Sequence, residues 1–184
     1  PNPISVYSHE ETGNWVSYQR DIKFKKWCKN QDINWYEYQQ HGVQRPIFDR
    51  DGWSYEWNKF MNLPKIEVSK NIKFFSFNYL FDLIDIKKIG KHITHKSIQK
   101  GGREAGLKLL DSFLETRGKN YSKEMSSPLT AITSCSRLSP YLTFGNLSVR
   151  EVYKTAKAKR DKLKGIKKLG NWRSSISSFL GRLR

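Results

Sequence analysis

The sequence predicts an α/β tail, a strand-helix-strand unit, followed by a mainly α-helical domain. Three observations carry this expectation. Two short β-prone runs flank one helix-forming stretch within the first forty residues, the hydrophobic spacing turns helical after Gly101-Gly102, and it stays helical in the segments that follow. With 37% hydrophobic and 14% aromatic residues, the chain has enough large apolar side chains to offset its ordering entropy by burial, which excludes a disordered chain.

Ile4-Ser5-Val6-Tyr7 reads as the first strand, and the polar cluster from Ser8 to Asn14 as a turn. Trp15, Tyr18, Ile22 and Trp27 then fall near helical spacing with Lys23, Lys25 and Lys26 between them, which predicts an amphipathic helix over 15–29. Ile33 to Tyr38 holds three aromatics in six residues and reads as the second strand. This unit, assigned to 1–41, is too small to cover both faces of its sheet, so the rest of an α/β layer is expected upstream. Residues 42–100, interrupted by Gly42, Pro46, Asp51-Gly52 and Pro64, read as a crossing connection with local helices, one of them around Trp53 and Trp57.

The third segment, 101–184, reads as all-helical. Ala105, Leu109, Leu110, Phe113 and Leu114 form an apolar stripe that ends near Arg117. Ser148 with Glu151 three residues on is a capping box, opening a helix through Val152, Tyr153 and Ala156. Trp172, Ile176, Phe179, Leu180 and Leu183 mark the next helix. The first residue is Pro1 rather than Met, and the last residues stop inside a helical pattern, so both ends are expected to be cuts.

Cys28 and Cys135 stand far apart and match no metal-ligand spacing, which argues against a disulfide framework or a zinc site and fits a reducing cytoplasm. No run approaches the length of a membrane span. None of His9, His41, His92 and His95 has a nucleophile or carboxylate at a recognisable spacing, so all four are expected to be surface or satisfied polar residues. The formal charge is +17, and residues 150–184 hold twelve Lys and Arg against Glu151 and Asp161, leaving +10 in that segment. Such a field attracts polyanions, nucleic acid first, and nominates Lys157, Lys159, Arg160 and Arg182 as DNA-binding residues. The alternative is a lysine-rich solvated helix and loop.

Between the helices of the last segment lies a hydroxyl-dense run, Thr133-Ser134-Cys135-Ser136-Arg137-Leu138-Ser139-Pro140. Short side-chain donors and backbone N–H groups in such a turn suit a phosphate, although Ser/Thr-rich turns also serve as caps and loops.

The string Ser136-Arg137-Leu138-Ser139-Pro140-Tyr141-Leu142, with Gly145 and Leu147-Ser148 after it and Tyr121 before it, resembles the FAD-phosphate-binding segment of the photolyase/cryptochrome family. Residues 8–21, Gly42-Val43-Gln44-Arg45 and Arg50-Asp51-Gly52-Trp53 resemble a bacterial branch of that family, in order over nearly the whole chain. The resemblance implies a truncated photolyase/cryptochrome architecture: the end of an α/β domain, the interdomain connection, and the opening of a helical FAD-binding domain. It implies that Tyr121 and the hydroxyls and backbone at Cys135, Ser136, Leu138 and Ser139 hold the flavin pyrophosphate, with Cys135 where many members have Thr. Arg137 would be a phosphate ligand or would pair with an acid across the helical domain. Phe179 and Arg182 match positions near the adenine and the substrate side, Arg182 replacing an acid. Phe179 read from its own stripe, with Trp172 and Ile176, is ordinary core.

The implied activity is that of a DNA photolyase, repairing pyrimidine dimers in damaged duplex DNA with FAD. The alternatives are a cryptochrome-type blue-light receptor and a basic nucleic-acid-binding helical module without flavin. An antenna chromophore is implied but not identified, since Ser17 stands near where folate-binding members use Glu. Arg20-Asp21 is assigned to fold architecture, and Glu10 and Glu11 are expected to be solvated. The residues that face the flavin ring in the family would lie beyond Arg184, so the chain alone is expected to bind FAD weakly and to perform no photochemistry.

Overall fold

The computed structural model describes residues 3–45, 49, 51–67, 69–73 and 98–184. The expectations resting on Pro46, Arg50, His92 and His95, and much of the connection over 42–100, lie outside the described residues.

Strand β1 (Ser5–His9), helix α1 (Trp15–Asn30) and strand β2 (Asn34–Tyr38) form a parallel β-α-β unit, registered from Ser5 opposite Asn34 to His9 opposite Tyr38. Side chains alternate across a strand, so Tyr7, Tyr36 and Tyr38 share one face. Their rings stack, with centroids 5.1 Å apart for Tyr7 and Tyr36 and 6.4 Å for Tyr7 and Tyr38, and all three are exposed. The opposite face receives α1, where Phe24 meets Trp35 edge-on at 5.2 Å.

Helix α1 forms where predicted, but the stripe expected to be its buried face is not buried. Trp15 is 70% exposed and Trp27 48%, while Asp21 and Cys28 are the buried positions. A sheet of two strands covers only a narrow strip of a helix, and that strip falls on Asp21 and Cys28, with Phe24 against Trp35, rather than on Trp15 and Trp27. Asn14 caps the helix by accepting the Ser17 N–H at 3.0 Å, a role within the stretch read only as a turn. Glu11, expected to be solvated, accepts the Gly13 N–H at 2.6 Å and pairs with Arg20 at 3.2 Å.

The other described elements are helical: α2 (Trp53–Asn62), α3 (Arg103–Glu115), a 3₁₀ turn (Arg117–Asn120), the short α4 (Tyr121–Glu124), α5 (Ala131–Ser134) and α6 (Ser139–Thr143), then α7 (Val149–Lys162) and α8 (Trp172–Arg182). The three short helices occupy what reads in sequence as loop. They share one core, in which Met61, Leu110, Phe113, Leu138, Leu147, Val152 and Ile176 are all but inaccessible. Each such side chain contributes roughly 1.5–3 kcal/mol by leaving water. Helix α2 delivers Trp57, Phe60 and Met61 into this core, so it packs as part of the helical body.

Helix α8 is tied to the 3₁₀ turn and α4 by Ser175, which is fully buried. Its hydroxyl donates to Lys119 O at 2.9 Å and accepts the Ser122 N–H at 3.1 Å. The chain passes tightly here: a Cβ on Gly118 would stand 2.6 Å from Phe113 O, so only glycine fits.

Candidate anion-binding turn

The turn between α5 and α6 is shaped by one side chain outside it. Arg117, just past α3, donates from Nη1 to Cys135 O at 2.6 Å and Thr133 O at 3.3 Å, and from Nη2 to Leu109 O at 3.0 Å, with Ser136 O at 3.5 Å. Its Nε–H donates to Ser112 Oγ at 2.9 Å, which fixes the plane of the fork. Burial first, then the charge of Arg137, lowers the pKa of the guanidinium, which stays charged at any ordinary pH.

The next carbonyls are engaged as well. Arg137 O accepts from Gln99 Nε2 at 3.0 Å, and Leu138 O accepts the Leu142 N–H at 3.0 Å. The N–H groups of Ser136, Arg137, Leu138 and Ser139 find no acceptor among the described residues. Arg137 is left-handed, with φ 59°, and Leu138 right-handed, with φ −87° and ψ −9°. Backbone that alternates in this way can turn successive N–H groups toward one side, the arrangement of an anion-binding nest. A left-handed non-glycine residue costs about 1 kcal/mol, which the clamped carbonyls around it sustain.

The nominated side chains divide by depth. Leu138 is 1% exposed, so its side chain belongs to the core and only its backbone faces the turn. Arg137 and Ser139 are exposed, and no carboxylate among the described residues pairs with Arg137. The Cys135 thiol is directed to Met125 O at 4.0 Å, away from the N–H groups. Tyr121 and Phe179 meet in the core: Phe113 lies 5.5 Å from Tyr121 and 4.7 Å from Phe179, and the latter two rings are 6.1 Å apart and perpendicular. Phe179 is therefore enclosed in the core. Burial, then the neighbouring Cys135, raises the Tyr121 phenol above its ordinary pKa, against the pull of Arg182, so it stays a proton donor.

Cys135 and Arg182 are near enough for their charges to act on the Tyr121 phenol, and Phe179 packs against its ring. The described cavities lie elsewhere. One of about 550 Å³ runs between the α/β unit and the helical body, lined by His9, His41, Trp57, Met61 and Leu147 among others, and none of the described cavities is lined by Ser136 to Ser139. The described residues supply an open wall of donors rather than an enclosed pocket.

Lys157, Lys159 and Arg160 are engaged within the fold. Lys157 Nζ reaches Asn62 Oδ1 at 3.2 Å, Lys159 pairs with Glu115, and Arg160 Nη2 lies 2.8 Å from Asp161 Oδ1. Arg182 is exposed. Sequence reasoning missed Arg117, whose acceptors apart from the Ser112 hydroxyl are backbone carbonyls, a group present at every residue.

Among the described residues there is no cluster of His, Cys, Asp and Glu able to hold a metal, and no helix long and apolar enough to cross a membrane. The chain matches no model of a known protein family, and no curated protein matches it.

Proposed function

We propose that this chain is part of an FAD-dependent blue-light flavoprotein of the photolyase/cryptochrome type, a cytoplasmic DNA photolyase acting on pyrimidine dimers in damaged duplex DNA. The observation that carries the reading is the Ser136 to Ser139 turn, where four consecutive N–H groups lack acceptors among the described residues while the carbonyls around them are tied back by Arg117, Gln99 and Leu142. Donors fixed in place before the ligand arrives are what a diphosphate requires, because nothing need be reorganised when its charge is bound.

The residues fit that group. The nest and the Ser136 and Ser139 hydroxyls hold phosphate oxygens, the exposed Arg137 adds charge, and the protonated Tyr121 phenol is a further donor. Cys135 borders the turn, and Phe179 packs against the Tyr121 ring from within the core. Held there, a reduced flavin would supply the chemistry, lending a light-driven electron to the dimer and recovering it once the dimer has opened. With only one wall among the described residues, affinity for FAD in this chain alone is expected to be low.

The test is a titration of the isotopically labelled chain with FAD and, separately, with inorganic pyrophosphate, followed through backbone amide resonances. Both are expected to move the amides of Ser136, Arg137, Leu138 and Ser139 together, and Arg137→Ala is expected to weaken both. Shifts that avoid these four amides would remove the reading. Repair and light signalling use the same turn, and they separate on loss of dimers from irradiated DNA under blue light in the flavin-loaded protein.

A further inference from the structure

Each free N–H of the candidate turn shares a peptide plane with the carbonyl of the residue before it. In a trans peptide that C=O and N–H point to opposite sides of the chain, so a group that holds the carbonyl also aims the amide. Arg117 holds Cys135 O at 2.6 Å and lies 3.5 Å from Ser136 O, and so governs the N–H groups of Ser136 and Arg137. The Leu142 N–H holds Leu138 O at 3.0 Å and governs that of Ser139. The remaining carbonyl, Arg137 O, has Gln99 Nε2 at 3.0 Å as its partner among the described residues, and the amide behind it is that of Leu138.

This carbonyl has the greatest need of a tie. Arg137 is left-handed, with φ 59°, a conformation that a residue carrying Cβ abandons unless its surroundings oppose the change. A return to the ordinary basins would swing the Arg137–Leu138 peptide and re-aim the Leu138 N–H. Local hydrogen bonds do not prevent this, because the bond that resists it comes from 38 residues earlier in the chain.

Gln99 is itself kept in place. It stands ahead of α3, and the carbonyl of the next residue, Lys100, accepts a hydrogen bond from the Tyr141 hydroxyl at 2.6 Å. Tyr141 lies on α6, two residues past the turn, and is 4% exposed. Its ring is lodged against α3, where a Cβ on Gly106 would come within 2.9 Å of Tyr141 Cδ1. The backbone beside Gln99 is therefore fixed from the same short helix that follows the turn, which limits how far the amide arm strays from Arg137 O.

We propose that Gln99 is a positioning residue of the anion-binding turn: anchored through Tyr141, it aims the Leu138 N–H at a bound diphosphate by holding the opposite side of the peptide. The proposal rests on the reading of the turn as a diphosphate site and adds a residue that the hydroxyl-dense run does not contain. A donor already aimed at a charged acceptor gives its full hydrogen bond, whereas one that must first rotate loses part of it to ordering.

The experiment titrates the isotopically labelled 184-residue chain and its variants with inorganic pyrophosphate, following each backbone amide, and measures their urea midpoints alongside. Gln99→Met keeps the length of the side chain and removes the donor. It is expected to weaken pyrophosphate binding about ten-fold and to abolish most of the response at the Leu138 amide. The Ser136 and Arg137 amides, governed by Arg117, are expected to keep their response, and the urea midpoint to stay nearly unchanged. Tyr141→Phe, which keeps the ring and loses only the hydroxyl, is expected to show a smaller loss at the same amide. If the unaltered chain binds at the four amides and Gln99→Met matches it in affinity and in the Leu138 response, the proposal is overturned while the diphosphate reading stands. A loss spread evenly over the four amides with a lowered urea midpoint overturns it too, since Gln99 would then support the fold and not one donor. If pyrophosphate moves none of the four amides in the unaltered chain, the reading and the proposal fall together.

Discussion

Arg117 donates to carbonyls from two separate segments, Leu109 on α3 and Thr133 and Cys135 ahead of α6, and so joins the helix to the candidate turn. Removing it leaves partly buried carbonyls without donors. Hydrogen bonds to a charged group are worth roughly 1.5–3 kcal/mol each, and an unpaired buried acceptor costs a further desolvation penalty. Arg117→Leu is therefore expected to lower the unfolding free energy by about 3 kcal/mol, read as a reduced urea midpoint. Arg117→Lys should recover only a part, because an ammonium cannot reproduce the planar fork. A midpoint unchanged in both variants would show that the turn holds its shape without this residue. The sequence marks the hydroxyls of Ser136 and Ser139 as a phosphate-binding run, yet the donors left without acceptors among the described residues are backbone N–H groups. Which N–H stays free depends on where each carbonyl goes, and the Arg117 contacts span 16 to 19 residues, beyond any local spacing rule.

At the scale of elements, the long helices were legible because apolar spacing reports burial directly. Helices α3, α7 and α8 bury Leu110, Phe113 and Leu114, then Val152, Tyr153 and Ala156, then Ile176, Phe179 and Leu180, each a member of its predicted stripe. Helix α1 shows the limit of the rule, since spacing says which residues could be covered and only the size of the neighbouring layer says which are. The capping box is legible in part. Ser148 caps α7 through the Arg150 N–H at 3.3 Å, but the Glu151 carboxylate is taken chiefly by Arg103, through a two-point contact of 2.6 and 2.9 Å that links α7 to the start of α3. The hydrogen bond from Arg103 is the largest influence on Glu151 and holds its pKa below the ordinary carboxylate value, against partial burial. A carboxyl with a depressed folded pKa stabilises the fold above its unfolded pKa and loses that contribution as pH falls through the folded value. Glu151→Gln is expected to be less stable than the unaltered chain at neutral pH, with the difference narrowing below about pH 4.5. Urea midpoints across that range check it, and a difference independent of pH would assign Glu151 a packing role only.

At the scale of the molecule, the apolar core belongs to the helical body, while the β-α-β unit buries little of its own surface: Tyr7, Trp15, Tyr36 and Tyr38 are all exposed. Such a unit gains order by docking, and one contact with the helical body is made at Gly42. A Cβ there would fall 2.0 Å from Trp57 Cδ1, inside the ring's own volume, so the backbone following β2 lies directly on the indole. Trp57 is 3% exposed and meets Tyr153 edge-on at 5.0 Å, which braces the ring from one side. Gly42 reads in sequence as a pattern breaker, and its partner, fifteen residues on, reads only as half of a tryptophan pair; the juxtaposition exists only in three dimensions. Gly42→Val is expected to lift the β-α-β unit off the helical body without unfolding the latter. Helical circular dichroism should be retained, Trp57 emission should shift to the red as water reaches the indole, and proteolysis between β2 and α2 should accelerate. If emission and cleavage stay as in the unaltered chain, the unit is held by contacts other than Gly42 on Trp57, and the cavity of about 550 Å³ beside that ring, lined by residues of both parts, becomes the place to look for them.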